Sequence, residues 1–126
     1  MARTAITPVA LVADGGVAMA TAEAATAVDQ ANGMVIANAN PEKLMLRVTN
    51  TAGAAHGIII RAGDGASPER AAWMAGQGDL NVQVALTSGV EYIAKLTSAR
   101  FLQSDGSLHI DFEASFAGKI LAVLLP

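Results

Sequence analysis

Residues 100–113, RFLQSDGSLHIDFE, decide how this chain is read, because they pack an arginine, a histidine, two aspartates and a glutamate into one stretch. Asp105-Gly106 is among the strongest two-residue hairpin signals, since both central positions of the favoured turn need a positive φ. A two-residue turn places Ser104 opposite Ser107, Phe101 opposite Ile110 and Ala99 opposite Phe112, with Arg100 facing Asp111 and Leu102 facing His109. One face of the hairpin is then apolar, and the other carries an opposite-charge pair, which cross-strand neighbours favour. A three-residue turn sets Arg100 against Ile110 and Phe101 against His109, a poorer match of chemistry. On the first register the charges decorate a hairpin and do not converge on a ligand.

The same period of two recurs outward from there. EKLMLRVTN (42–50) alternates Leu44, Leu46 and Val48 against Met45, Arg47 and Thr49. HGIIIRAG (56–63) carries consecutive isoleucines, which pack well on a pleated surface and less well in helices. NTAGAAH, between them, reads as a hairpin connection. DLNVQVAL (79–86) puts Leu80, Val82, Val84 and Leu86 on one face, and EYIAKL (91–96) follows the turn signal Thr87-Ser88-Gly89. GKILAVLLP (118–126) is apolar on both faces and reads as a central, covered strand. GMVIAN (33–38) is another short strand.

Ile6 to Val12 has a strand pattern, but Pro8 lacks a ladder donor and confines it to an edge or an arm. Residues 1–32 are therefore read as an extended N-terminal arm, with 18–27 extended or irregular, on a single domain spanning 1–126. The pattern predicts an all-β fold, an antiparallel β-sandwich of jelly-roll type with about seven to nine strands. One segment departs from it. Ser67-Pro68 is a helix start, Glu69 suits the first turn, and Gly76 ends a short helix inside the long loop 62–79.

Bulk composition narrows the classes. A chain of 126 residues is one domain on ordinary size statistics. Charged residues reach 15%, against roughly 25% in typical soluble domains. With 52% hydrophobic residues and a mean hydropathy of +0.41, part of the surface is expected to face a partner. A net charge of −3 lacks the clustered basic footprint of nucleic-acid binding. The absence of cysteine excludes disulfides and thiolate metal sites. MARTAITPVALVADGG lacks a signal-peptide layout, and no stretch approaches the ~20 apolar residues of a membrane span. The expectation is a protein made and released in a cytoplasm.

The usual catalytic constellations are missing. His56 and His109 fall on different predicted elements without metal-ligand spacing, and there is no nucleophile elbow. Gly76-Gln77-Gly78 precedes a strand rather than a helix, which removes a phosphate cradle. The Asp-Gly pairs at 14–15, 64–65 and 105–106 lack the spaced carboxylates of calcium loops and are explained by turn chemistry. No cofactor and no metal are expected, and the chain reads as a non-enzyme. Trp73 either caps one end of the sandwich or anchors a contact, with Arg70 three residues away on the same helical face. Met74 beside the tryptophan is a further contact candidate, as are Arg3, Ile6 and Pro8 on an arm able to add a strand to a neighbouring sheet edge.

Three stretches carry a family resemblance: PEKLMLRVTNTAGAAHGIIIRAG (41–63), AAWMAGQGDLNVQVA (71–85) and SARFLQSDGSLHIDFEASFAGKILAVLLP (98–126). The order of an Asn-Thr hairpin, a Trp loop running into Gly-Asp-Leu, Arg-Phe, an Asp-Gly turn and a terminal Leu-Pro resembles the small β-sandwich head decoration, or cement, proteins of tailed bacteriophages. The resemblance covers residues 33–126; relatives often carry a basic residue after the tryptophan, where this chain has Met74. It implies a viral structural protein on the virion's capsid surface. Its partner is then the major capsid protein, with a homotrimer favoured and with neither nucleic acid nor membrane as partner. The alternative is another virion component, such as a tail- or fibre-associated carbohydrate-binding sandwich.

Overall fold

Alternation in the sequence becomes burial in the structure. The computed structural model describes residues 2–16, 26–37, 40–63, 78–84, 89–94, 96–103 and 105–126. Among them are ten strands: β1 (Thr4–Ala5), β2 (Val9–Ala10), β3 (Thr26–Ala27), β4 (Met34–Ile36), β5 (Leu44–Asn50), β6 (His56–Ile60), β7 (Leu80–Val84), β8 (Gly89–Ala94), β9 (Leu108–Phe112) and β10 (Gly118–Leu124). A four-residue helical turn, α1 (Ser98–Phe101), and a short 3-10 turn at Pro41–Lys43 complete the described elements. In β5 and β9 every second residue is buried, which is the period a half-buried strand imposes.

The strands form two sheets. Sheet I has the order β1-β4-β9-β6-β7, and sheet II has β2-β10-β5-β8 with β3 also paired to β10. Met34, Ile36, Ile58, Ile60, Leu108 and Ile110 from sheet I and Leu46, Val48, Ile120 and Ala122 from sheet II are fully buried in one cluster. Each such aliphatic side chain larger than alanine stabilises the fold by about 1.5–3 kcal/mol relative to leaving it in water. The fold is thus an all-β, two-sheet sandwich. The central position of β10, paired on one side by β5 and on the other by β2 and β3, is as the apolar run predicts.

From β3 onward the chain changes sheet at every step except β6 to β7. This corrects the reading of 50–56 as a hairpin connection, because β5 and β6 lie in different sheets. Asn50 marks the crossing. It is fully buried, its amide donates to the carbonyls of Ala54 at 3.0 Å and Val84 at 3.1 Å, and its Oδ1 accepts from Ala52 N–H at 2.9 Å. A side chain that satisfies three backbone groups replaces the ladder a hairpin would have supplied.

A second correction falls on the opening stretch. Leu102 bridges Leu108, Gln103 N–H donates to Ser107 at 2.9 Å, and Gly106 N–H donates to Gln103 at 3.0 Å. That is the three-residue register, and α1 replaces the first half of the expected hairpin. The physical reason is local. The Asp105 carboxylate takes the Ser107 N–H at 3.0 Å and its hydroxyl at 2.5 Å, which shapes the turn from the side chain. Phe101 reaches the core from the helical turn, 3% exposed. Gly106, with φ of 84°, supplies the one left-handed residue this turn needs.

The N-terminal segment joins the chain's own sheets. β1 runs parallel to β4 at one edge of sheet I, and β2 runs parallel to β10 in sheet II. Pro8 sits between them, where a missing N–H costs no ladder bond. These two pairings are parallel where the sequence suggested only antiparallel ones. The helix expected in 62–79 lies outside the described residues, apart from the segment's two ends.

Candidate partner-binding face

The two sheets present outer faces of different chemistry. On sheet I, strand order brings residues remote in sequence into a row. Arg3 Nη1 donates to Asp111 Oδ1 at 2.6 Å and Nη2 to Oδ2 at 3.3 Å. Arg61 Nε donates to the same carboxylate, and Arg61 Nη1 to Asp79 Oδ2 at 2.8 Å. Asp79 also takes the Ala62 N–H at 2.6 Å, while Arg100 donates to the carbonyls of Gly78 at 3.0 Å and Asp79 at 3.2 Å. Two guanidinium groups and two carboxylates alternate along Arg3–Asp111–Arg61–Asp79, so their formal charges cancel. The expectation that these charges only decorate a hairpin is therefore corrected: Asp111 pairs with Arg3 and Arg61, not Arg100.

Glycine makes the row possible. Gly33, at φ of 75°, lies beneath it; a Cβ there would sit 2.2 Å from Asp111 Oδ1 and 2.4 Å from Arg3 Nη1. Further along the same face Gln83 Nε2 donates to Glu113 Oε1 at 2.9 Å. This bond passes over Gly57, whose Cβ would meet both groups within 2.8 Å. Nearby, Thr4 Oγ1 donates to Asp29 Oδ2 at 2.5 Å, and Asn32 bonds the same carboxylate. His109 Nε2 lies 3.2 Å from Ser107 Oγ, and His56 Nδ1 lies 3.9 Å from Glu113 Oε2.

The electrostatics match this pairing. Partial burial pushes the Asp111 carboxyl up, yet hydrogen bonds from Arg3 and Arg61 outweigh it and hold the group below the usual carboxylate range. The Ala62 N–H does the same for Asp79, against partial burial and with help from Arg61. The Thr4 hydroxyl lowers Asp29, and the Gly57 N–H lowers Glu113. Among the described residues no three His, Asp or Glu side chains gather as metal ligands. This face holds Arg3 of the N-terminal segment, and the residues that flank 64–77, to the sheet.

Sheet II faces outward with different residues. Alternation puts Lys119 and Leu121 of β10, Met45, Arg47 and Thr49 of β5, and Tyr92 of β8 on its outer side. Arg47 lies directly across from Leu121 on one neighbour and from Tyr92 on the other. Tyr92, at 62% exposure, is with Val12 one of two exposed large hydrophobic residues among those described. Arg47 is half-buried and has no hydrogen-bond or ion-pair partner among the described residues. Among the described side chains of these three strands, no outward position is acidic.

Of the contact candidates read from the sequence, Arg3 is engaged by Asp111, Ile6 is buried in the core, and Pro8 is half-buried. Arg70, Trp73 and Met74 lie outside the described residues. Arg47 and Tyr92 were not singled out. Their alternation was legible, but only the pairing of β5 with β8 puts them side by side.

Comparison with protein-family models, curated proteins and solved structures finds no match to this chain. The class that fold and faces define is an all-β sandwich with one outer face whose arginines and aspartates pair within the chain and one whose Arg47 has no partner among the described residues.

Proposed function

We propose that this chain is a virion structural protein that binds the outer surface of an expanded phage capsid and stabilises it. It is a decoration protein without catalysis, assembled in the host cytoplasm and favouring a homotrimer on the capsid. The observation that carries the reading is the division of labour between the faces. Sheet I keeps its polar groups for its own structure, while sheet II presents Leu121, Arg47 and Tyr92 in one row across three strands. Aromatic and arginine side chains are the groups that dominate binding hot spots. The motif order across 33–126 that resembles decoration proteins supports the same reading. Many copies on a lattice need only a modest footprint each, because bridging neighbouring coat subunits multiplies weak contacts. Binding to the expanded shell alone stabilises that state by mass action.

The test is co-sedimentation with shells of the cognate capsid prepared without this protein, in expanded and unexpanded forms. Saturable binding to the expanded form, at a fixed ratio to coat protein and with a raised melting temperature of the shell, is the expected result. No binding to intact expanded shells overturns the proposal.

A further inference from the structure

We infer that the outer face of sheet II docks on an acidic protein surface of the capsid, with Arg47 meeting a carboxylate there. The inference rests on the capsid reading and adds the chemistry of the partner. Four arginines lie among the described residues. Arg3, Arg61 and Arg100 each have protein acceptors. Arg47 alone has none among the described residues, although it is half-buried between Leu121 and Tyr92. A guanidinium partly withdrawn from water gains most from a planar carboxylate, which it can bind with two parallel hydrogen bonds.

The sign of the face supports this. The chain carries a net charge of −3, yet the outward positions of β10, β5 and β8 whose side chains are described hold Lys119 and Arg47 and no acid. A basic face favours an acidic partner and disfavours pairing with the same face of a second copy. The outer face of sheet I in a second copy is a poor match, because Asp111, Asp79 and Glu113 there already accept hydrogen bonds within their own chain. Tyr92 and Leu121 flank the cation with apolar surface, which excludes water from a docked ion pair and strengthens it.

The experiment measures binding of wild type, Arg47→Gln, Arg47→Glu and Tyr92→Ala to expanded shells at two ionic strengths, with thermal melts of each free protein. Asn81→Glu, at an exposed position of sheet I, is the control. Arg47→Glu is expected to weaken binding by roughly tenfold to a hundredfold, and Arg47→Gln and Tyr92→Ala by less. Added salt is expected to weaken wild type more than Arg47→Gln, while Asn81→Glu binds as wild type does. If Arg47→Glu does not fold, Arg47→Gln and the salt dependence decide alone. Folded Arg47 variants that bind shells like wild type overturn this inference and leave the capsid reading standing. A wild-type protein that ignores expanded shells sinks both.

Discussion

The outer faces of the two sheets use the same kinds of residue to opposite ends. On sheet I the arginines and aspartates answer one another: Arg3 and Arg61 share Asp111, and Arg61 reaches on to Asp79. On sheet II Arg47 sits among Leu121, Tyr92 and Met45 with no described counter-charge. The difference lies in strand neighbourhood rather than composition. The β1-β4-β9-β6-β7 order lines up residues from the N-terminus, the middle and the end of the chain. The β10-β5-β8 order sets its arginine directly across from Leu121 on one side and Tyr92 on the other. A polar face closed upon itself contributes stability, whereas the cation without a described partner is where the proposed docking places recognition.

If that contrast holds, damage to sheet I should appear as lost stability with shell binding intact once the protein is folded. Gly33→Val should have the largest effect. A β-branched residue at φ of 75° is strained, and its Cβ would fall within 2.4 Å of both Arg3 Nη1 and Asp111 Oδ1. The expected cost is about 2–4 kcal/mol in urea unfolding, the range in which backbone strain adds to a broken buried network. A variant as stable as wild type breaks the account of sheet I.

Asp111→Ala comes next. It leaves Arg3 and Arg61 without their shared carboxylate, with side chains only 25% and 43% exposed. Net ion-pair energies near a surface are modest, so the loss is expected at about 1–2 kcal/mol. Because Arg3 is anchored there, hydrogen exchange at Thr4 and Ile6, whose N–H groups bond Gly33 and Val35, should rise more than exchange in β5. Equal increases in both places would mean that the network does not clamp the N-terminal segment in particular.

Acid should have the smallest effect per group. Asp29, Asp79, Asp111 and Glu113 are all held below the ordinary carboxylate range. The native state therefore binds fewer protons than the unfolded chain as the pH falls into that range. The stabilisation is fully present above the ordinary carboxylate pKa and is lost as pH drops through the lowered native values. Urea midpoints should be flat near neutrality and fall below about pH 4, and Asp111→Ala should flatten part of that fall. The same titration with Arg47→Gln should follow wild type, because Arg47 pairs with none of these carboxylates.

Much of the scaffold was readable from local pattern. Alternation along 44–50 and 108–112, the isoleucines of 58–60 and the two-sided apolar run at 118–124 each give a strand where one is found. The turn at 103–107 was misread because Asp-Gly signals a two-residue hairpin only when the flanks are free to pair. Here Phe101 is drawn into the core by α1, and Asp105 spends its carboxylate on Ser107. The crossing after Asn50 was hidden for a similar reason. A buried amide that satisfies Ala52, Ala54 and Val84 looks, in sequence, like an ordinary turn asparagine.

By itself the sequence determined the all-β class, the positions of β5, β6, β9 and β10, and the alternation that sends Leu46 and Val48 inward and Arg47 outward. A side-chain period of two is a property of consecutive residues, so it needs no tertiary contact to be seen. Tertiary structure alone decided which strands are neighbours. With that it decided that Arg3 and Asp111, 108 residues apart, share hydrogen bonds over Gly33, and that Arg47 stands between Leu121 and Tyr92. Strand order is set by burying both inner faces at once across the whole chain, and no short window of sequence contains that constraint.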